Sequence, residues 1–442
     1  MMRNNININA ALEEVREKYI SSNPESRVKN AEAKQVMPGG NTRTALYYSP
    51  FPVTIARGEG AHIWDVDGHS YADFLVEFTA GLYGHSDPII ANAVHAALDK
   101  GLVLGGPNLI EAELARLMCD RFPAVERLRF CNSGTESNIF ALSAARAFTG
   151  RTDILVVEGS YHGGPLSFEG ESPLTLPFPI HKMTYNDPQG AVEKIRALGN
   201  KLAVVLVEPV IGAGGGIPAS SEFLLSLRSA TEETGALLIF DEVMTSRLSS
   251  GGMHGYHGIK PDVVTFGKYL GGGLTFGAFG GRADIIDKFD PSKPGGWAHA
   301  GTFNNNILTM AAGHAGLSKV YTPDVANEFF ERGTSYMKSM QKAVSDLDLP
   351  IQITGMGSMM VFHVTDKVPS APLDSSQKPN DLFELLHLDM MERGQYYARR
   401  GMINLSLPMT QVDLDNFQAA FIDVLETRAP IIRSVFSKIQ GG

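Results

Sequence analysis

Lys268 follows an apolar, strand-like run at residues 262–266 and precedes the glycine-rich segment Leu270-Gly271-Gly272-Gly273-Leu274, while Asp241-Glu242 closes a second apolar run at 237–240. A lysine at the mouth of an apolar sheet is poorly solvated, so its ammonium form is disfavoured and the neutral amine is free to condense with an aldehyde as a Schiff base. An aspartate in the same crevice would keep a heterocyclic nitrogen protonated, because a buried carboxylate needs a cationic partner. Asp241 is read as the inward acid and Glu242 as the outward one. Taken singly these signals are weak, since most lysines are solvated and acids commonly mark where a strand meets water.

Further segments fall at the ends of predicted strands. Asn132-Ser133-Gly134-Thr135-Glu136 lies between a strand at 128–131 and a helix at 136–148. Ser133 and Glu136 have the capping-box spacing, Gly134 permits close backbone approach, and a helix N-terminus behind them suits a phosphate dianion. An ordinary capped helix would give the same pattern. Gly159-Ser160-Tyr161-His162-Gly163 follows a strand at 154–158, where an aromatic ring could lie flat against a pyridine. Thr302, in Ala300-Gly301-Thr302-Phe303, offers another hydroxyl for phosphate. An aldehyde site, a ring nitrogen, a stacking surface and an anion site together describe pyridoxal 5'-phosphate, carried by Lys268 and kept as a pyridinium electron sink by Asp241.

The elements that must position these residues alternate in kind. Strands are predicted at 128–131, 154–158, 203–207, 237–240, 263–266 and 278–280, and helices at 136–148, 189–198 and 222–234. Such alternation needs crossover connections and gives an α/β domain with a mostly parallel sheet flanked by helices, its ligands lying beyond the strands' carboxyl ends. Upstream, helices at 10–20 and 28–37 lead into strands at 53–57, 61–65 and 71–74, with Asp67-Gly68 as a two-residue hairpin signal. Helices at 87–100, capped by Asp87 with Pro88 in first position, and at 110–122 follow. Downstream, strands at 351–354, 358–364 and 402–405, a helix near 382–397 and a long last helix that Pro430 threatens to interrupt form a smaller α+β lobe. That lobe is expected to share its core with the N-terminal piece. The expected division is an N-terminal segment at 1–75, a large domain at 76–315 and a small domain at 316–442, with 366–380 as the mobile loop.

Composition narrows the class. The chain has 442 residues and a net charge of −10, with Lys+Arg 38 against Asp+Glu 48, which disfavours nucleic-acid binding. Cys119 and Cys131 are too few for a disulfide scaffold and lack a metal-ligand pattern. Residues 1–22 lack the apolar core of a secretory signal, and no apolar stretch approaches the roughly 18–20 residues of a membrane helix, so a cytoplasmic protein without a membrane partner is expected.

In order along the chain, Pro38-Gly39-Gly40, Trp64-Asp65-Val66-Asp67-Gly68, Ser133-Gly134-Thr135-Glu136, Tyr161-His162-Gly163, Glu208-Pro209-Val210, Asp241-Glu242-Val243-Met244, Gly267-Lys268 and Ala300-Gly301-Thr302 resemble the class III aminotransferases of pyridoxal-phosphate fold type I. The resemblance implies that Lys268 carries the cofactor, that Asp241 pairs with the pyridine nitrogen, and that Tyr161 and Val243 sandwich the ring. It further implies that Ser133, Gly134 and Thr135 bind phosphate and that His162 and Glu208 belong to the cofactor site. Thr302 would reach the phosphate of a neighbouring subunit, giving a homodimer with composite sites.

Within the family the likeness is to the branch of β-amino acid aminotransferases and glutamate semialdehyde aminomutases. Arg43 stands closer to the glycines of Gly39-Gly40-Asn41-Thr42-Arg43 than in the aminomutase pattern, and Tyr397-Ala398-Arg399-Arg400-Gly401 supplies a guanidinium that pattern lacks. Planar bidentate donors suit carboxylates, so Arg43 is assigned to the β-amino acid donor and Arg400 to the 2-oxo acid acceptor. A plain surface ion pair is an equal reading of Arg43, and Arg399 competes with Arg400 as the inward residue. The expected reaction is ping-pong transfer of an amino group from a β-amino acid or related amine to a 2-oxo acid such as 2-oxoglutarate or pyruvate. Glutamate-1-semialdehyde 2,1-aminomutase is the alternative, and a non-catalytic cofactor-binding homologue a more remote one.

Overall fold

The computed structural model describes residues 7–374 and 378–441. Its centre is a seven-stranded sheet in the order Arg127–Cys131, Gly277–Gly281, Val263–Gly267, Leu237–Asp241, Leu202–Val207, Asp153–Val157, Ile180–Met183. Gly277–Gly281 is antiparallel to both neighbours, and the pairings from Val263–Gly267 to Ile180–Met183 are parallel. Every residue of Leu202–Val207 is buried, as expected of a parallel strand covered on two faces. Alternate side chains divide between the helix layers. Leu155, Val157, Val205, Val207, Leu238 and Phe240 pack with Ile195, Phe223 and Leu227 of helices Pro188–Leu198 and Ser221–Thr234. Ile154, Val156, Val204, Leu206 and Ile239 pack with Ala141, Leu142 and Ala145 of helix Gly134–Thr149.

Local chemistry sets the helix ends. Asp187 accepts from the Gly190 amide at 3.0 Å with Pro188 in the first turn, and Ser220 accepts from the Phe223 amide at 3.1 Å. Gly150 and Gly235 close helices Gly134–Thr149 and Ser221–Thr234 in the left-handed conformation.

The N- and C-terminal parts share a second sheet. Strands Ile55–Glu59, His62–Asp65 and Ser70–Asp73 form an antiparallel series, and Gln395–Tyr396 adds parallel to Ser70–Asp73. A third sheet joins Ile351–Met356, Met359–Val364 and Met402–Asn404. Among the described residues no helix is long and apolar enough to cross a membrane.

Several sequence expectations shift. The helix expected near 382–397 is Asn380–Glu392, because Gly394 turns at φ 71° and the chain leaves to pair as a strand. Pro430 does not interrupt the last helix, Gln411–Gly441. Glu426, whose carbonyl loses the missing N–H, is exposed to solvent as Pro430 is, so water can satisfy it. Asp67-Gly68 belongs to a longer connection in which Trp64 pairs with Ser70, and the Asp67 carboxylate caps helix Pro24–Lys34 through the amides of Glu25 (2.7 Å) and Ser26 (3.0 Å). Of the loop expected to be mobile at 366–380, residues 375–377 lie outside the described residues. Its flanks are tied by Asn186 donating to the Ser370 carbonyl (2.9 Å) and by Lys378 paired with Glu169 (2.5 Å).

Candidate active site

Ser133, Tyr161, Glu208, Asp241 and Lys268 each come at or just beyond the carboxyl end of a strand of the main sheet, where open α/β sheets bind ligands. Side-chain contacts draw them together. A Cβ on Gly134 would lie 2.6 Å from Val243 Cγ1, and one on Gly163 would lie 2.3 Å from Thr135 Oγ1. Glycine at these two positions therefore lets the helix N-terminus meet the Val243 and Tyr161-His162 turns.

Ser133 Oγ caps the helix by accepting from the Glu136 amide at 3.1 Å, while the Glu136 carboxylate accepts from the Asn132 amide at 2.8 Å. The cap is a variant of the box expected, reaching one residue further back. Ser133 keeps its hydroxyl proton for another acceptor, and the first amides of the helix have no intrahelical acceptor. That arrangement suits an anion.

Asp241 is buried and fully engaged. Its Oδ2 accepts from Asn138 Nδ2 (2.8 Å) and meets His162 Nδ1 (2.7 Å), and its Oδ1 accepts from the Val243 amide (3.0 Å). Asn138 is fixed in turn by donating to the His162 carbonyl (3.0 Å) and accepting from Thr265 Oγ1 (2.7 Å). Glu208 accepts from the amides of Tyr161 (3.2 Å) and Gly212 (3.0 Å). Burial pushes its carboxyl up to about 7, helped by the charge of Asp241 and opposed by His162. Glu242 is the clear correction. Expected to face outward, it is fully buried and accepts from the amides of Met253 (2.7 Å) and His254 (2.8 Å), with His254 Nδ1 at 2.5 Å. The turn after the strand carries helix Gly252–His257 back over it, giving the second carboxylate its own buried donors.

Lys268 begins a short turn, Lys268–Gly271, with its own φ at 56°. Lys268 is half-buried and Arg400 exposed, yet protein surrounds both side chains. We read the two together as groups lining a cleft rather than the outer surface. Burial lowers the Lys268 amine from its ordinary 10.5 to about 8; the Arg400 charge adds to this, and Asp241, Glu77 and Glu208 oppose it. A direct result is expected. In the protein free of cofactor, reaction of Lys268 with an amine-specific reagent, mapped by mass spectrometry, should reach half its limiting rate near pH 8, well below the surface lysines; a midpoint near 10.5 would contradict the buried setting.

The Lys268 amine donates to the carbonyl of Phe78, which lies in the turn Val76–Thr79. Both arginines singled out in the sequence come to this turn. Arg43 pairs with Glu77 at 2.6 Å, and the Arg400 guanidinium lies 5.0 Å from the centre of the Phe78 ring. Arg399 points elsewhere, to Glu384 at 3.6 Å. Tyr161 exposes its ring. Thr302 is exposed on the loop at 301–306, which meets the cluster through Asn304, whose Oδ1 accepts from Asn132 Nδ2 (3.0 Å). Sequence reasoning missed Asn138 and the Glu77-Phe78 turn. The available signal for Asn138 was polarity: Ser137 and Asn138 are the buried polar pair on a helix otherwise packed through alanine and leucine.

A sheet of this topology, with a depressed lysine, a buried aspartate and an open helix N-terminus at its carboxyl edge, defines a pyridoxal-phosphate enzyme of fold type I. The sequence pattern of the family described as Aminotransferase class-III matches residues 44–387, and the chain belongs to that family. It is 48% identical to a beta-phenylalanine transaminase of Variovorax paradoxus over 93% of this chain and 95% of that protein. It is 34% identical to a glutamate-1-semialdehyde 2,1-aminomutase of Geobacillus thermodenitrificans over 94% of this chain and 99% of the relative. Among solved structures, a beta-phenylalanine aminotransferase from Variovorax paradoxus aligns with a TM-score of 0.94 at 47% identity, covering 96% of this chain and 98% of that one. The protein is a pyridoxal-phosphate-dependent aminotransferase, and the residues present fit the cofactor: an amine poised near neutrality, a buried acid, and a glycine cradle at a helix N-terminus.

Proposed function

We propose that the protein transfers an amino group from a β-amino acid, of the aryl-substituted kind, to a 2-oxo acid. The observation that carries this reading is the convergence of Arg43 and Arg400 on Glu77-Phe78, beside the Lys268 amine. Two guanidinium groups flanking one amine give separate carboxylate anchors for donor and acceptor. The name of the 48% identical relative supports the donor class. When bound, pyridoxal phosphate supplies the carbonyl that captures the amine and the ring that takes up the electron pair of a broken C–H bond. Lys268 holds the cofactor and moves the proton; Asp241, oriented by His162 and Asn138, keeps the ring nitrogen positive. Ser133, Gly134 and Thr135 bind phosphate, Tyr161 and Val243 enclose the ring, and Glu208 supports the Tyr161 turn.

We further propose a homodimer in which Thr302 reaches the partner's phosphate. Leu102, Val103, Leu104, Leu109 and Phe303 are exposed. Their loops are bonded to each other through Asn108 to the Asn305 carbonyl (2.7 Å) and Asn305 to the Gly106 carbonyl (3.0 Å). An apolar patch of this kind calls for a partner surface, and a monomeric mass in sedimentation would count against it.

Arg43→Ala tests the substrate assignment. Loss of a charge-assisted contact made equally in ground and transition states should raise the KM for β-phenylalanine about 10- to 100-fold with little change in kcat. An unchanged KM would return Arg43 to a plain ion pair with Glu77. The same preparation discriminates the aminomutase: isomerisation of glutamate 1-semialdehyde without an added oxo acid, and no colour change with β-amino acids, would overturn the transaminase reading.

A further inference from the structure

Among the described residues, eight non-glycine positions have positive φ, and four are consecutive: Val76 (49°), Glu77 (46°), Phe78 (51°) and Thr79 (79°). Another is Lys268, whose amine donates to the Phe78 carbonyl. Side chains disfavour this region because Cβ crowds the following carbonyl, and the turn contains no glycine to relieve it. Such backbone persists only where its surroundings over-determine it.

The surroundings hold it at both ends. On the upstream side, Asp73 Oδ1 accepts from the amides of Leu75 (3.0 Å) and Val76 (2.9 Å). On the downstream side, Arg247 donates through Nη1 to the Thr79 carbonyl (3.0 Å) and through Nη2 to the Leu405 carbonyl. Arg247 is 1% exposed, and no carboxylate pairs with it among the described residues. Burying a guanidinium without an acid partner is expensive, so its two carbonyl bonds mark what the position is for. Its backbone lies in the turn Thr245–Arg247, shortly after Asp241, so it ties the strand end that holds the acid to the turn that holds the amine.

We propose that Arg247 is a positioning residue for proton transfer: by clamping the turn Val76–Thr79 it fixes the carbonyl on which the free Lys268 amine rests, and so aims the amine's lone pair. A neutral amine has two N–H groups and one lone pair; giving one N–H to a fixed carbonyl restricts where the lone pair points. In the step concerned the donor's C–H bond breaks, the proton goes to Nζ, and the bond's electron pair would be taken up by the ring of the bound cofactor. A base misplaced by an ångström loses much of the benefit of being intramolecular.

The inference rests on Lys268 being the base. Retained turnover in Lys268→Ala would remove that premise, whereas the following test addresses the clamp with Lys268 intact. Arg247→Lys keeps the charge but offers a point donor in place of the planar fork. Thr79→Gly leaves Arg247 in place and relaxes the turn from within, so it serves if the buried arginine cannot be replaced without unfolding. In single turnovers at saturating β-phenylalanine, followed by cofactor colour, each variant that folds should show the rate constant lowered about 10- to 100-fold with the donor KM within about twofold. Deuterium at the reacting carbon should slow it further, marking the C–H step. Loss of folded protein alone would lower the amplitude and leave the rate constant. In the cofactor-free protein, amide hydrogen exchange at Phe78, Ala80 and Gly81, which bond within the turn to Leu75, Glu77 and Val76, should quicken at least about tenfold. An unchanged rate constant, a lowered one without a deuterium effect, or unaltered exchange in the turn would overturn the proposal.

Discussion

Lys268→Ala is expected to lower transamination more than about 10,000-fold, since positioned proton transfer alone contributes up to that factor and the covalent hold on the cofactor is lost with it. The fold should survive. The residue keeps its left-handed backbone, and Tyr269 and Leu270 beside it remain in the core. Stability supplies a second readout with a fixed sign. The folded-state amine is depressed to about 8 against an ordinary 10.5, so the wild-type, cofactor-free protein should gain stability as pH rises between those values and the unfolded chain releases its proton in turn. The alanine variant should lack that component of the slope. Borohydride reduction of the holoenzyme followed by peptide mapping should tag Lys268; a tag on any other lysine, or appreciable turnover by the variant, would sink the assignment.

How much of this was legible beforehand follows from the kind of physics involved. The main sheet was readable because its strands are continuous apolar runs separated by helices with local caps, and the site residues sit at the strand ends where such sheets present ligands. The edge strand Ile180–Met183 was missed because His181 and Lys182 break the apolar pattern at a half-covered edge. Gln395–Tyr396 was missed because its partner, Ser70–Asp73, is more than 300 residues away, and the helix expected there gave way to that pairing. In the site, Ser133, Asp241 and Lys268 stood out through their flanks. Glu242 was misplaced because its donors come from a helix whose return no local signal announces. The turn at Glu77-Phe78 was invisible for a stronger reason: without a glycine, nothing in its residue types points to a left-handed backbone that Asp73 and Arg247 impose from outside.

Asp241→Asn is expected to lower kcat/KM for amino transfer about 100- to 1,000-fold, the range typical of removing one preorganised electrostatic partner. The substitution keeps the shape of the side chain and removes the charge. One oxygen can still accept a bond, but an amide NH2 must face either the Val243 amide or Asn138 Nδ2, both of them donors that meet a carboxylate in the wild type. A buried donor facing a donor is destabilising, so a lower melting temperature should accompany the rate loss. The two effects separate through the neighbours. The Asp241 charge helps to raise the Glu208 carboxyl and to hold up the Lys268 amine. Its removal should let Glu208 ionise below about 7 and should move the Lys268 labelling midpoint below about 8 in the cofactor-free protein. A variant that lost stability but kept both titrations and most of its rate would show that Asp241 serves the buried network alone, with no part in holding the ring nitrogen positive.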